Sequence, residues 1–416
     1  MQSSCLLKIF ELHILSVLEE KTCFNFRQFG FRKGCSTSDA CYILKETVHG
    51  YTIGKKSAFA AFIDLSKAFD LVDHFILGDQ LLARDIPPDI ILLLMHYLRN
   101  QSARVCWNKD KGSYVNIEKG VRQGGILSPF LFKLYIDGII DKLASQDVGC
   151  QLGFLRLNII GYADDLVIMA DTLKNLEYLY CILEKDIASL KLKMNKLKSK
   201  CMIFGGTARN GAVREVTLER DTFEVVHEYK YLGHVVSDTL NDEGDVRFRL
   251  NNFYSKFSSL FRNFSKVSIE TFIYLFNSYC LPQYGLGLWN PGSILNKQIF
   301  KTFNIAYNNA LKKIVGAPTY SSSHVTAEIL KQLLFKHHFS FIQARFMKRI
   351  LLFKNEITLL CSPKLKDGYI CKSVAAHFRE AYDCDFYDND LEVLRARVEW
   401  IEKLEKRRCI CNFYGI

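Results

Sequence analysis

Two adjacent acidic residues, Asp164 and Asp165, stand between two short apolar runs in the segment Leu157–Ala170. Apolar runs of this length that are rich in Ile and Val predict strands, and a tight turn between them would place both acids at a hairpin tip. Carboxylates on a rigid, nearly dry ledge are costly unless a cation binds there. A hard divalent ion such as Mg²⁺ prefers carboxylate and phosphate oxygens, so the tip is a candidate metal site.

A third acid, Asp64, ends the apolar run Ala58–Ile63, which predicts a buried strand. If the two strands are neighbours, Asp64 lies beside Asp164 and Asp165. Two divalent ions ~3.5–4 Å apart can activate an attacking oxygen and stabilise a leaving oxygen in phosphoryl transfer. That reaction depends on positioning and charge neutralisation. The three acids therefore predict a site for two Mg²⁺ ions, or Mn²⁺ in their place; the alternative is that they are turn residues or helix caps.

Between the acids lies the glycine-rich segment Gly120–Pro129. Glycines let backbone approach a ligand closely, so Gly124 is a candidate contact. Arg122 could meet a phosphate, and Gln123 could meet a base or sugar edge. Tyr162, beside the acidic tip, is predicted to contact the same substrate. The alternative is a plain strand-to-helix turn capped by Ser128, with proline at the first helical position.

The elements that must position these residues follow from periodicity and turn signals. Helices are predicted at 36–49, 89–98, from Ser128 onward and at 173–192. Strands are predicted at 57–65, 200–204, 222–227 and 230–236, with a hairpin formed by 103–107 and 114–117. From Val246 apolar residues recur at steps of four and three, which predicts a helix seam whose other faces carry four basic residues: Arg247, Arg249, Lys256 and Arg262. The rest is predicted to be mostly helical, to a charged helix at 391–408.

Composition and charge limit the class of protein. The chain has 416 residues, 49% of them hydrophobic, which is enough for two or three subdomains. The net charge is +11, and residues 241–360 hold 15 Lys/Arg against 6 Asp/Glu, which favours a polyanionic partner. We expect an intracellular protein without membrane spans, because no signal peptide or long apolar run is present. Zinc binding by the C-terminal cysteines is not favoured, because their spacing lacks paired ligands: Cys371, Cys384, Cys409 and Cys411.

Six segments in a fixed order resemble the reverse transcriptase of non-LTR (LINE-type) retrotransposons. They cover about 28–240, and both their order and their spacing match that family. The segments are Gln28–Thr37, Phe62–His74, Gly120–Pro129, Tyr162–Asp165, Leu192–Phe204 and Tyr229–Gly233.

The resemblance implies an α+β right-hand polymerase fold and an RNA-directed DNA polymerase that uses an RNA template, a DNA primer and dNTPs. The expected location is intracellular; target-primed insertion would need access to chromosomal DNA, which is compatible with the nucleus, but the sequence does not establish a nuclear location. The implied domains are partial fingers at 1–57, a palm at 58–240, a helical thumb at 241–350 and a helical C-terminal extension at 351–416. The palm would include a fingers insertion at about 75–119 and a primer grip at about 229–236.

The resemblance also implies roles for single residues near the acids. Asp64, Asp164 and Asp165 would be the Mg²⁺ ligands. Phe69 would lie under the sugar and exclude a 2′-hydroxyl. Lys198 would stand near the pyrophosphate as a proton donor, and Gln123 would lie along the nascent base pair. The acids and histidine that follow Phe69 are expected to be structural: Asp70, Asp73 and His74.

Further residues are implied to contact nucleic acid. The fingers segment would do so near the template, the primer grip at the primer end, and the thumb along duplex phosphates without reading sequence. These residues are Arg32, Lys33, Tyr231, Leu232, Gly233, Arg247 and Lys256.

One departure from the family pattern bears on activity. The basic, proline-containing fingers segment that the family carries before the Gln28 motif is not found in residues 1–27. We therefore expect an N-terminally truncated copy whose palm folds and binds metal but whose affinity for dNTPs is poor. Three alternatives stay open at this point: an RNA-templated RNA polymerase, against which Phe69 argues, a group II intron maturase, and a nucleic-acid-binding remnant without catalysis.

Overall fold

The computed structural model describes residues 5–108, 110–152, 155–205, 213–352, 369–386 and 389–399. Within them the chain is α+β and divides into two compact units. The first unit comprises the residues up to Ala40 together with Gly50–Val226, and the second comprises Cys41–His49 together with the residues from His227 onward. No described helix has the length and apolar character that crossing a membrane requires. The division into fingers, palm and thumb stays a prediction.

The first unit holds six helices and twelve strands among its described residues. Its helices are α1 (Cys5–Lys21), α2 (Thr37–Ile53, whose central residues belong to the second unit), α3 (His74–Leu82), α4 (Pro88–Arg99), α5 (Ser128–Ala144) and α6 (Leu173–Ser189). Its strands are β1 (Ala58–Asp64), β2 (Ser102–Ala103), β3 (Cys106–Trp107), β4 (Asp110–Lys111), β5 (Val115–Asn116), β6 (Cys150–Leu152), β7 (Leu155–Leu157), β8 (Ile159–Tyr162), β9 (Asp165–Ala170), β10 (Lys200–Phe204), β11 (Glu215–Leu218) and β12 (Asp221–Glu224).

A four-stranded antiparallel sheet in the order β10-β1-β9-β8 forms the centre of this unit. Strands β1 and β9 lie in its middle and are buried along almost their whole length, which explains why their sequences are continuously apolar. Helix α5 packs against β8, and α6 packs against β9 and β1. The core of the unit lies between these helices and the sheet.

Two details of the first unit differ from the sequence predictions. Ser128 was predicted to cap α5, but it is the first residue of the helix, and its hydroxyl donates to the carbonyl of Arg122 instead. The predicted hairpin at 103–117 is present, but as two short steps in which β2 pairs with β5 and β3 with β4.

The second unit opens with a β-hairpin and is otherwise helical. Its strands are β13 (Glu228–Tyr231) and β14 (His234–Ser237), and its helices are α7 (Glu243–Phe264), α8 (Ile269–Leu275), α9 (Pro291–Ile294), α10 (Gln298–Ile314), α11 (Ser323–Ile329), α12 (Phe335–Leu352) and α13 (Tyr369–Tyr382). Residues 391–399 are also helical, and the rest of the predicted 391–408 helix lies outside the described residues.

The single strand predicted at 230–236 is wrong. Leu232 and Gly233 both have positive φ, 46° and 79°, so the chain reverses there and forms the two strands β13 and β14. Two consecutive residues with positive φ are typical of a two-residue hairpin turn. The apolar pattern concealed the turn because Leu232 is not a residue type that favours this conformation.

The seam of α7 is confirmed. Its first five apolar positions are buried in the core of the second unit: Val246, Leu250, Phe253, Phe257 and Leu260. The sixth, Phe264, is 43% exposed at the end of the helix. The seam packs against α10, where Phe253 contacts Phe303 and Tyr307.

Candidate active site

The sheet register brings the three predicted acids together. Asp64, the last residue of β1, is directly opposite Asp165, the first residue of β9. Opposed residues of antiparallel strands have Cα atoms roughly 4.5–5.5 Å apart and side chains on the same face. Asp164 immediately precedes Asp165 in the two-residue turn between β8 and β9, as the sequence predicted.

The electrostatics of this cluster disfavour a full set of negative charges. Burial, together with the neighbouring charges of Asp164 and Asp64, raises the pKa of Asp165 to about 6. The pKa of Asp164 is also raised, mainly by burial and in addition by Asp64. A bound cation would relieve both the desolvation cost and the mutual repulsion.

The three carboxylates therefore suit a hard divalent ion, although their side chains do not converge on a single metal position. Within the described residues, no three His, Cys, Asp or Glu side chains already lie close enough to hold a metal ion. Of the cysteines considered for zinc, Cys409 and Cys411 lie outside the described residues.

A tight turn at 195–199 holds Asp64 by its backbone. The amide of Asn195 donates to the carbonyl of Asp64 (2.8 Å), and the hydroxyl of Ser199 accepts from the amide of Asp64 (3.1 Å). Ser199 is fully buried and in turn donates to the carbonyl of Asn195 (2.8 Å). Lys198, the predicted proton donor, is exposed in this turn. The sequence analysis missed Ser199, whose only sequence signal is its place beside Lys198 in a matched motif.

The glycine-rich segment packs against the residues that follow Asp64. The amide of Val121 donates to the carbonyl of Phe69 (2.8 Å), and the side-chain amide of Gln123 donates to Asp70 Oδ1 (3.0 Å). The ring of Phe69 stacks on Phe132 with centroids 4.5 Å apart. Phe69 and Gln123, predicted to contact the nucleotide, therefore belong to one packed group.

The glycines of this segment serve different purposes. A Cβ on Gly120, whose φ is 90°, would lie 2.8 Å from the carbonyl oxygen of Asp70, so this glycine allows chain-to-chain packing. Gly124 also has positive φ (82°), but a Cβ there would meet nothing within 4 Å. Of these two, only Gly124 faces open space where a ligand could approach. A cleft of about 700 Å³ adjoins the segment and is lined in part by Asp70, Arg122 and Gln123.

A buried acid on α1 anchors the same segment and was missed by the sequence analysis. Glu11 is fully buried, and its carboxylate accepts from the amide of Ile126 and from the hydroxyl of Tyr97, both at 2.5 Å. Tyr97 stands beside Arg122, and burial together with Glu11 raises the pKa of its hydroxyl. Helix α1 carries two further acids, Glu19 and Glu20, so the sequence does not single out Glu11.

Of the three residues that were expected to be structural, Asp73 and His74 have structural roles, whereas Asp70 does not. Asp73 caps α3 by accepting from the amides of Phe75 and Ile76, and it pairs with Lys191 at 2.6 Å. His74 is buried, with Nε2 2.8 Å from the carbonyl oxygen of Gly120. Asp70 is exposed and accepts from Gln123, so it lies at the candidate site.

The predicted fingers residues, Arg32 and Lys33, follow Phe31, whose ring lies near Tyr162 of the acidic hairpin. Arg32 is partly exposed and Lys33 is exposed. The neighbouring Phe31 has its ring centroid 6.4 Å from that of Tyr162 and 6.5 Å from that of Phe69. The two aromatic residues predicted to contact substrate are thus linked through Phe31.

In the second unit, the predicted primer-grip residues form the β13–β14 turn. Tyr231 is buried and its carbonyl accepts from the thiol of Cys41 (3.6 Å). The guanidinium of Arg249 donates to the carbonyl of Gly233 (2.5 Å) and to both carboxylate oxygens of Asp245.

The prediction that Arg249 lies on an outer face of α7 is wrong. Arg249 is buried because Asp245, one turn earlier, supplies a buried counter-charge. Burial alone would raise the pKa of Asp245, but His234 and Arg249 lower it well below its usual range. Arg247 is exposed and Lys256 is partly exposed, as predicted, and the Lys256 amine lies 5.4 Å from the ring centroid of Tyr279.

Residues 1–236 match the family described as reverse transcriptase (RNA-dependent DNA polymerase). This match covers more than half of the chain, and the chain therefore belongs to the reverse transcriptase family.

Similar curated proteins confirm the non-LTR retrotransposon type. The Pol polyprotein from the type-1 retrotransposable element R2 of Nasonia vitripennis is 24% identical over 257 residues, which are 60% of this chain and 25% of that protein. The Pol polyprotein from the type-2 element R2DM of Drosophila melanogaster is 29% identical over 221 residues, 50% of this chain and 20% of that protein. The RNA-directed DNA polymerase from the mobile element jockey of the same fly is 24% identical over 340 residues, 79% of this chain and 36% of that protein. The chain thus spans between a fifth and about a third of the length of these relatives.

Among solved structures, the apo telomerase of Candida tropicalis is similar at 13% identity and a TM-score of 0.41, covering 96% of this chain and 60% of that chain. A likeness at that TM-score carries no structural conclusion.

Proposed function

We propose that the chain is an RNA-directed DNA polymerase that adds dNTPs to the 3′-hydroxyl of a DNA primer on an RNA template. Family membership supports the class of reaction. The observation that carries the proposal is the sheet register, which sets Asp64 opposite Asp165 with Asp164 beside them.

In this proposal the three carboxylates hold two Mg²⁺ ions. Burial and nearby carboxylates raise the pKa values of Asp164 and Asp165, and this is the physical reason that the site suits such a cation. When bound, the ions would activate the primer oxygen and stabilise the leaving oxygen of an in-line displacement.

The remaining chemistry falls to positioning by the chain's own residues. The turn at 195–199 fixes the backbone of Asp64, so its carboxylate is held at the end of β1. Lys198 is exposed in that turn, and we assign it the protonation of the departing pyrophosphate. Phe69, held against Phe132, would lie under the incoming sugar and exclude a 2′-hydroxyl. Preorganisation of this kind is a main source of catalysis in phosphoryl transfer.

The larger assignments are part of the same proposal. The four-stranded sheet with α5 and α6 would be the palm, the helices α7 to α12 would be the thumb of a right-hand fold, and α13 would belong to the C-terminal extension. The β13–β14 turn would contact the primer end. Arg32 and Lys33 would meet the template, and Arg247 and Lys256 would track duplex phosphates.

Primer extension by the full chain on an RNA template tests this function. We expect Mg²⁺-dependent extension by the wild type and a loss of about 100-fold or more in Asp164→Ala, because a metal ligand supplies several kcal/mol of transition-state stabilisation. Asp147→Ala is the matched control, since Asp147 is a 95% exposed acid of the same unit. No extension by wild-type protein that still binds the primer–template duplex would contradict the proposal, and would favour a non-catalytic remnant.

A second measurement separates DNA synthesis from RNA synthesis. We expect the wild type to incorporate dNTPs and reject NTPs, and we expect Phe69→Ala to increase NTP use. Equal use of both nucleotide types by the wild type would identify an RNA polymerase instead.

A further inference from the structure

A short segment of the first unit runs beside the outer edge of the sheet at the acidic turn. The amide of Gly161 in β8 donates to the carbonyl of Arg27 (2.9 Å), and the amide of Phe29 donates to the carbonyl of Gly161 (2.8 Å). Gln28 thereby forms a parallel bridge with Gly161, only two residues before the turn that carries Asp164. The segment therefore contributes edge pairing to the strand that leads into the site.

The side chain of Gln28 reaches into the turn itself. It is fully buried, and its Oε1 accepts from the amide of Gly30 (2.9 Å) and from the amide of Ala163 (3.2 Å). Two N–H groups point at this atom, so it must be the carbonyl oxygen and not the amide nitrogen. Gln28 is thus the side-chain acceptor for the first residue of the acidic turn.

Ala163 is the residue of this turn that most needs such a restraint. Its φ is 55°, in the left-handed region, where a residue with a Cβ pays roughly 1–2 kcal/mol. A strained conformation persists only when its surroundings over-determine it, and such residues cluster at functional sites. The buried hydrogen bond from Ala163 to Gln28 offsets this cost and fixes the direction in which the chain enters Asp164 and Asp165.

Two glycines make room for the contact. A Cβ on Gly30 would lie 2.3 Å from the nitrogen of Ala163, so only glycine lets the segment pass so close to the turn. A Cβ on Gly161 would lie 3.3 Å from the side-chain nitrogen of Gln28 and 2.8 Å from Cδ1 of Ile140. The pairing of Gln28 and Gly30 with Gly161 and Ala163 is therefore a packed unit assembled from two motifs far apart in sequence.

We infer that Gln28 is a positioning residue for the acidic turn: its side-chain carbonyl, through the amide of Ala163, holds Asp164 and Asp165 in register with Asp64. Because Gln28 is fully buried, it is not assigned a contact with substrate. The expected effect on kcat rests on the proposed polymerase function. The positioning of the acidic turn by Gln28 does not depend on that function.

A variant of Gln28 tests the inference in the full chain. Gln28→Met keeps the length and shape of the side chain but removes the acceptor. Gln343→Met is the matched control, because Gln343 is an equally buried glutamine of the second unit whose amide donates to the carbonyl of Trp289 (2.5 Å). The Gln343→Met variant shows how much the loss of a buried glutamine amide changes kcat and exchange through destabilisation alone.

We expect Gln28→Met to lower kcat for primer extension about tenfold with the KM for dNTP within about twofold, as for loss of one positioning hydrogen bond. Hydrogen-exchange mass spectrometry of peptides spanning 159–166 should show faster exchange in Gln28→Met than in Gln343→Met.

The exchange measurement keeps the inference independent of activity. If the wild type does not extend primers, the proposed function fails, while faster exchange at the turn in Gln28→Met still supports the positioning role. Exchange and kcat in Gln28→Met that match those of Gln343→Met would overturn it.

Discussion

Asp165 illustrates a conflict between function and stability within a single residue. Its carboxylate is largely buried beside two others, which raises its pKa to about 6. Because the folded chain then holds this proton more tightly than the unfolded chain does, folding stability falls as pH rises from about 4 to about 6, and the loss persists above that range. The site therefore carries a cost in the metal-free protein at neutral pH.

The first prediction is that Asp165→Asn stabilises the metal-free chain above pH 6. We expect a gain on the order of 1 kcal/mol, discounted for the partial exposure of the group, which is roughly 2–4 °C for a domain of 150–250 residues. Thermal unfolding in EDTA at pH 5 and pH 7.5 measures it, and the gain should be larger at the higher pH.

Adding Mg²⁺ supplies the control for this prediction. Magnesium should raise the melting temperature of the wild type and raise that of Asp165→Asn by less. If Asp165→Asn melts below the wild type in EDTA at pH 7.5, the charged Asp165 carboxylate does not destabilise the metal-free protein.

At the scale of elements, the turn at 195–199 determines where β1 ends. It accepts and donates hydrogen bonds at both backbone groups of Asp64, so the strand cannot lengthen or shift without losing them. The residue that does this through its side chain is Ser199, which is fully buried.

We predict that Ser199→Ala lowers kcat about tenfold and folding stability by about 1 kcal/mol, because the Asp64 amide loses its buried acceptor. Ser189→Ala is the control, since the exposed hydroxyl of Ser189 donates to the carbonyl of Asp186, one turn back in α6. Primer-extension kinetics and urea denaturation of both variants decide; equal kcat in the two would contradict the role of the turn.

A buried ion pair holds the β13–β14 turn. Arg249 links the carbonyl of Gly233 to the buried carboxylate of Asp245, which also accepts from the indole of Trp289 (2.8 Å). Removing one partner of a buried pair leaves the other charge uncompensated.

Accordingly, Arg249→Met should destabilise the second unit by about 3 kcal/mol. Arg247→Met, two residues earlier on an exposed face of α7, should change stability by no more than about 0.5 kcal/mol. Tryptophan fluorescence during urea denaturation compares them, and similar midpoints for the two variants would refute the account of Arg249.

At the scale of the whole molecule, the net positive charge is concentrated in the mostly helical segment 241–360, because that segment contains few acidic residues. Residues 241–360 hold 15 of the 55 Lys/Arg but only 6 of the 44 Asp/Glu. Such an imbalance favours binding to phosphates without reading sequence, and its signature is a steep loss of affinity with salt.

We predict that Arg247→Ala combined with Lys256→Ala reduces the slope of log affinity against log salt by about 2 for an RNA–DNA duplex, since each neutralised phosphate contributes about 0.9. Lys174→Ala combined with Lys185→Ala, which removes two exposed lysines from α6, is the control with the same change in net charge. Fluorescence anisotropy at several salt concentrations gives the slopes; an equal change in both double variants would show that only net charge matters.

Much of the site could be predicted because its determinants are local in sequence. The apolar runs that end at Asp64 and begin after Asp165 predicted two buried strands, and the structure places them side by side with those two acids opposed. The seam of α7 was likewise predictable, because one apolar face repeats over several turns. The ordered motifs predicted the family, which the comparison confirms.

Other features depended on partners that the sequence does not place. The turn at Leu232 and Gly233 was hidden in a run with strand-like composition. Helical periodicity placed Arg249 on a face of α7 away from the apolar seam, and the nearby Asp245 makes its burial favourable. Glu11 and Ser199 act on segments distant in sequence, so no local pattern indicates them.

The sequence by itself determined which residues could do chemistry and which strands carry them, because residue type and periodicity are local properties. Only the tertiary structure decided how the backbone of those residues is held. Gln28 supports the acidic turn, the 195–199 turn supports Asp64, and the glycine segment packs on Phe69. Each support is a hydrogen bond between groups distant along the chain, whose partner is chosen by three-dimensional proximity and by the need to satisfy buried polar groups.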